Sequence, residues 1–277
     1  MCEADRYPHQ QRFGREVRFC VACGRNGLFD PFYLALKKCG TGRSNLHLVK
    51  EFNCESWTDL LTKTHSLPEF WGRGLSLASG ITLAQPDATV VLATQASYFF
   101  LEGGGALLQA ASKNSDLTCV VLDSQWKRPQ TSEREEAGER SSGGAPLNPI
   151  ALLLLSGATF VAQVHSDRVE DAAAIIELAI RHTGFSAVYM VTSDPLLHYE
   201  RNREPPSVQK MERIAESHPF QDRAAALALA TREDGLLRMG IFYRIDRLIS
   251  GEMREAMKKR EVSSVAEWGQ LLNLFKP

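Results

Sequence analysis

The sequence predicts an α/β fold in which a largely parallel sheet carries helices on both faces. Two observations predict it. Short runs such as Leu117-Thr-Cys-Val-Val-Leu-Asp123 are nearly all apolar and β-branched, the composition of strands covered on both sides. Between such runs lie segments with apolar residues at helical spacing, and that alternation builds β–α–β units with right-handed crossovers.

Taken in order, the first helix is expected over 27–38 and the first strand over 46–52. Residues 74–84 are rich in small side chains, which permits a closely packed helix, and 88–94 reads as a strand. A helix over 105–112 leads to the strand at 117–123. A strand at 159–164 precedes a helix over 169–182, whose apolar residues fall at 173, 175, 176, 178 and 179. Strands follow at 187–191 and 239–244, with polar helices between them and a helical tail from 250 onward. Residues 126–147 are charged, rich in Ser and Gly and without period, so they read as a long loop of the kind that covers sites. Residues 199–208 contain Arg-Asn-Arg-Glu-Pro-Pro and read as a linker. The chain therefore divides into an N-terminal extension (1–18), a core (19–198) and a C-terminal helical extension with one closing strand (199–277). No solenoid repeat is visible.

Bulk properties narrow the function classes. The 277 residues include 44% hydrophobic ones, enough for a sizeable core. Basic and acidic residues number 32 and 33, which argues against a general nucleic-acid binder. The polar N-terminus does not read as a secretory signal. The apolar stretch Ile150 to Leu155 is far short of the roughly 20 residues a bilayer demands. A cytoplasmic protein with no membrane and no nucleic-acid partner is expected.

Six cysteines stand at 2, 20, 23, 39, 54 and 119. In a cytosolic chain they are thiols or metal ligands before they are disulfides. Cys20-Val-Ala-Cys23-Gly24 precedes a helix, whose positive end and free N–H groups favour thiolates. The pair reads as a thioredoxin-type redox couple, as half of a zinc site, or as part of a cluster site with Cys54, which follows a strand. A zinc knuckle would want a second CxxC or a His pair, and the sequence has no second CxxC. Cys39, on a helix, and Cys119, in a strand, read as core thiols. His47 reads as a satisfied mid-strand residue, and His165 and His182 as surface or helix-end residues.

The order of motifs resembles one family, the β-type subunits of 2-oxoacid:ferredoxin oxidoreductases. Phe19-Cys-Val-Ala-Cys-Gly24 matches its Cys-Pro-Gly-Cys-Gly. Phe52-Asn-Cys-Glu-Ser56 falls where it has Ile-Gly-Cys-Ser-Gly. Gly72-Arg73, with Leu75, Ala78, Gly80 and Ile81, falls on its His-Gly-Arg segment, with Trp71 in place of the histidine. Leu147-Asn-Pro-Ile150, Ser156-Gly-Ala-Thr-Phe-Val-Ala162 and Gly240-Ile-Phe-Tyr-Arg244 match its later motifs. The similarity runs from about Phe19 to Arg247.

The resemblance implies a thiamine diphosphate-binding fold, bound Mg²⁺ and a nearby [4Fe–4S] cluster. It implies an α/γ-type partner subunit that completes the thiamine site, and ferredoxin as electron acceptor. Decarboxylation of a 2-oxoacid at the thiazolium gives an enamine that the cluster oxidises one electron at a time. Cys20, Cys23 and Cys54 fall on three cluster ligands. Asp194, in Thr192-Ser-Asp194, falls on the fourth, where the family has cysteine. It either ligates iron as a harder oxygen donor or caps a turn before Pro195.

Gly72, Arg73, Ala96 and Ser124 fall on thiamine-site positions. There the chain departs from the pattern. Gln95-Ala-Ser-Tyr98 stands where the family has Gly-Asp-Gly-Asp, so Ala96 replaces the metal-binding aspartate. Ser124, in Asp123-Ser-Gln125, replaces the metal-binding asparagine. Lys127 and Arg128 could neutralise phosphate directly, or be solvated loop residues. Tyr98-Phe99-Phe100 are expected to fill volume that diphosphate takes in relatives. Three readings follow: a catalytic β-type subunit, a non-catalytic iron–sulfur electron-transfer or scaffold subunit, and a zinc-stabilised α/β module.

Overall fold

The computed structural model describes residues 10–12, 15–17, 26–39, 45–51, 65–68, 72–123, 147–191, 211–247 and 249. Strands β1 (Gln10–Arg12) and β2 (Arg15–Val17) form a separate antiparallel pair. The main sheet has eight strands: β3 (Leu46–Lys50), β4 (His65–Pro68), β5 (Thr89–Gln95), β6 (Leu117–Asp123), β7 (Phe160–His165), β8 (Phe185–Val191), β9 (Met211–Arg213) and β10 (Leu237–Arg244). Their order is β4-β3-β5-β6-β8-β7-β10-β9. The first six run parallel, and β10 pairs with β7 antiparallel.

The predicted parallel sheet with helices on both faces is what the chain forms. Successive strand residues sort to opposite faces, as the period of 2 requires. On β5, Val90 and Leu92 join one core while Val91 and Ala93 join the other. The first core is covered by α2 (Gly74–Ala84), α3 (Gly104–Ser112), α4 (Pro149–Leu155) and α6 (Arg223–Ala230). The second is covered by α1 (Asn26–Cys39) and α5 (Val169–Arg181), through Phe32, Ala35, Ala172 and Ile176.

Local chemistry starts two of these helices. Asn148 caps α4, its side chain accepting from Ala151 N–H at 3.0 Å, with Pro149 in the first turn. The Asn148 amide also donates to the Ala230 carbonyl at 2.8 Å, tying α4 to the end of α6. Asp222 caps α6 by accepting from Ala224 and Ala225 N–H.

Several expectations change. Among its described residues, the region expected to form polar helices holds β9 and an alanine-rich helix, α6. His165 and His182 are buried rather than on the surface. His165 ends β7, where its Nδ1 accepts from Asp167 N–H at 3.2 Å. His182 follows α5 with its Nε2 2.9 Å from Thr159 Oγ1, so the helix-end placement holds while exposure does not. Cys119 is fully buried, as expected of a core thiol, whereas Cys39 is only partly covered. Burial pushes both thiols above their ordinary value, Cys119 strongly. No helix among the described residues is long and apolar enough to cross a membrane.

Candidate functional site

The sheet's topology singles out one place. The chain leaves β3 for β4 on one side and leaves β5 for β6 on the other. Adjacent strands whose continuations diverge open a crevice at their carboxyl ends, where open α/β sheets bind ligands. The residues there are Glu51 after β3 and Thr94, Gln95 and Ala96 at the end of β5.

Two of these residues are buried. Glu51 is 1% exposed and Thr94 is fully buried. Glu51 N–H donates to the Ala93 carbonyl at 3.0 Å, extending the β3–β5 ladder by one bond. The Glu51 carboxylate accepts from Gly74 N–H at 2.6 Å through Oε1 and from the Thr94 hydroxyl through Oε2. Gly74 is the first residue of α2, so the carboxyl group caps the positive end of that helix. A Cβ at Gly74 would lie 2.7 Å from Glu51 Cγ and Cδ. Only glycine lets the helix come this close.

Gly72 and Arg73 form the turn into α2. Gly72 has φ +70°, and a Cβ there would lie 2.6 Å from Glu102 Cβ. Its positive φ and this close approach both call for glycine. Arg73 is exposed and its carbonyl accepts from Leu77 N–H at 3.1 Å. The predicted thiamine-site residues Gly72, Arg73 and Ala96 thus lie around the same strand ends.

Ala96 precedes a π-helical turn, Ser97–Glu102, which Gly103 N–H closes onto the Tyr98 carbonyl at 2.7 Å. Such turns recur at functional sites. The Ala96 methyl packs against the core and carries no donor atom for a metal. Phe99 is buried, and Phe100 meets it edge-to-face with ring centroids 5.1 Å apart. Phe100 also approaches Tyr189 at 6.3 Å. At the end of β6, Asp123 accepts a hydrogen bond from Tyr189. Burial, and then the Asp123 carboxylate, push the Tyr189 hydroxyl above its ordinary value.

Cys20, Cys23, Cys54, Asp194 and Ser124 lie outside the described residues, as do Lys127 and Arg128. Among the described residues no group of three His, Cys, Asp or Glu side chains could hold a metal ion. The resemblance puts a metal's oxygen ligand at position 96. Alanine there carries no oxygen, so position 96 does not fit that demand. Sequence reasoning missed Glu51, Thr94 and Gly74 as a unit. The signal in the sequence was a glutamate inside the expected apolar strand over 46–52, which ends at Lys50.

The thiamine pyrophosphate enzyme C-terminal TPP binding domain family matches residues 41–190. The chain is 27% identical over 248 residues to the 2-oxoglutarate synthase subunit KorB of Methanothermobacter marburgensis, covering 86% of this chain and 84% of that one. It is 24% identical over 188 residues to subunit beta of 2-oxoacid:ferredoxin oxidoreductase 2 of Aeropyrum pernix, covering 65% of this chain and 61% of that subunit. The solved structure of a 2-oxoglutarate:ferredoxin oxidoreductase from Magnetococcus marinus shares the fold. It has a TM-score of 0.76 at 24% identity and covers 97% of this chain and 95% of that one.

Proposed function

Because this chain belongs to the thiamine pyrophosphate enzyme family defined by the C-terminal TPP binding domain, we propose that it is the β-type subunit of a 2-oxoacid:ferredoxin oxidoreductase. In this reading it works with an α/γ-type subunit in the oxidative decarboxylation of a 2-oxoacid and passes electrons through a [4Fe–4S] cluster to ferredoxin. The observation that carries the reading is similarity to a named subunit of that kind over 86% of this chain. The CxxC at Cys20 and Cys23, with Cys54, supplies three thiolates, and Asp194 supplies the fourth ligand as a carboxylate. Cysteine thiolates hold such clusters, and a harder ligand shifts their potential.

One observation favours a second reading, a non-catalytic electron-transfer or scaffold subunit of the same assembly. Ala96 carries no oxygen, and Glu51 occupies the strand-end crevice. No step through thiamine diphosphate is therefore assigned to this chain.

Anaerobic co-purification with the α/γ-type subunit tests both. About four iron and four sulfide per chain are expected, as a cubane cluster requires. Ferredoxin reduction driven by a 2-oxoacid supports the catalytic reading. Electron exchange with ferredoxin without oxoacid turnover supports the second. A chain without iron overturns both.

A further inference from the structure

Where β6, β7 and β8 begin and β10 ends, one run of hydrogen bonds joins four elements, and backbone groups fix its direction. The Arg247 carbonyl can only accept, so the Asn114 side chain turns its amide nitrogen to it, at 2.9 Å. The Asn114 oxygen then accepts from Phe185 N–H at 2.8 Å, which requires the same orientation. That oxygen also accepts from the Thr159 hydroxyl at 2.8 Å. A hydroxyl has one proton to give, and its other oxygen neighbour, the Phe185 carbonyl at 3.2 Å, is an acceptor too. The donor to Thr159 is therefore His182 Nε2, 2.9 Å away. This fixes His182 as the neutral tautomer with its proton on Nε2. Its Nδ1 is enclosed and has no partner among the described residues. The end of β10 is tied in from its own side. The Arg247 guanidinium donates to the Ala111 and Ser112 carbonyls at the end of α3, both at 3.1 Å, and Ile245 N–H donates to the Thr159 carbonyl at 2.9 Å.

We infer that His182 is a pH-sensitive latch: neutral, it closes the Thr159–Asn114–Arg247 chain that ties the end of β10 to β7, β8 and α3, and on taking up a proton it lets that end open. A second proton can go only to Nδ1, where it would be a buried N–H without an acceptor. The ring is 6% exposed and leans on the Phe160 ring, with centroids 5.5 Å apart, so the charge would be enclosed beside an apolar neighbour. The charged groups around it oppose one another. Arg244, from the end of β10, disfavours the imidazolium, whereas Asp246 beside it and Asp116, from the turn before β6, favour it, as does the negative end of α5. Arg181, the preceding residue on α5, is engaged by Glu177 and by the Lys38 carbonyl of α1. Burial is the largest influence and holds the ring below its ordinary value of 6.5. Moving out to water relieves the charge and withdraws the donor that Thr159 accepts from. The Thr159 hydroxyl is then free to turn from Asn114, and Asn114 is what holds the Arg247 carbonyl. An opened state that binds the proton at the ordinary value is thus favoured as pH falls below about 6.5.

The test is amide hydrogen exchange of the full chain at about pH 7.5 and about pH 5.5, corrected for the intrinsic pH dependence of exchange. The Phe185 and Ile245 amides bond to Asn114 and Thr159. They are expected to lose protection severalfold, up to about tenfold, the ratio that uptake of one proton at about 6.5 gives over that range. Amides inside β3 and β5, away from the latch, are expected to keep theirs. His182→Gln retains a donor for Thr159 and does not titrate, so protection of the same two amides should no longer depend on pH. An equal loss in β3 and β5 marks global unfolding and overturns the inference. So does a His182→Gln chain with the wild-type pH dependence, or a wild type with none. Should His182→Gln not fold, the nitrogen NMR spectrum of the wild-type ring decides. A proton on Nε2 at neutral pH and titration below about 6.5 are expected, and a proton on Nδ1, or titration at or above that value, overturns the latch.

Discussion

Replacing Thr94 by valine isolates the contact that joins β5 to the buried carboxylate. The two side chains have nearly the same shape, so the change removes a hydroxyl donor and little else. Hydrogen bonds to charged groups contribute about 1.5–3 kcal/mol net. Glu51 keeps Gly74 N–H as a donor at 2.6 Å, so its charge is not left unpaired, and the expected loss is about 2 kcal/mol. For a chain of this size that lowers Tm by roughly 4–8 °C. Equilibrium urea unfolding of wild type, Thr94→Val, Glu51→Gln and the double variant closes a cycle. Its coupling is expected near 1–2 kcal/mol, because the two groups touch. Thr94→Ser should recover most of the loss. A Thr94→Val protein within about 0.5 kcal/mol of wild type, with no coupling in the cycle, would refute the idea that this hydroxyl holds the carboxylate.

Three further outcomes are expected. Gly72→Ala should cost about 2–4 kcal/mol, from its left-handed backbone and the clash with Glu102 Cβ, and Glu102→Gly should relieve only the clash; unfolding midpoints of the single and double variants check this. Burial, followed by Arg244, lowers the His182 pKa from 6.5. The unfolded chain then binds the proton first, and stability should fall as pH drops below about 6.5, by up to roughly 1.4 kcal/mol per unit. His182→Gln should flatten that slope, and an unchanged slope between pH 7.5 and 5.5 counts against it. Cys119 should resist alkylation until the protein unfolds, as mass spectrometry of partly labelled samples will show, because it is enclosed and its thiol is held protonated.

The central strands were legible because both of their faces are buried, which leaves uninterrupted apolar runs in the sequence. The edge elements were not. β4 is His-Ser-Leu-Pro and β9 is Met-Glu-Arg, short and polar as edge strands tend to be, with proline tolerated only there. Helix α4 is Pro-Ile-Ala-Leu-Leu-Leu-Leu, a run in which every position is apolar, so no period separates helix from strand. His182 looked like a surface residue because its position after a helix is local information. Its burial depends on Thr159, 23 residues earlier, and on no nearby pattern.

The same distinction governs the site. Alanine at position 96 could be read from the sequence, set against a motif of fixed spacing. The grouping of Glu51 with Gly74 and Thr94 could not, because those contacts span 23 and 43 residues. Ligand-binding edges of α/β sheets leave polar groups waiting for a substrate. Here the edge carboxylates have donors from within the chain, Glu51 from Gly74 and Thr94 and Asp123 from Tyr189. A buried carboxylate with both oxygens matched resists exchange for another anion, because removing it strands two donors away from water.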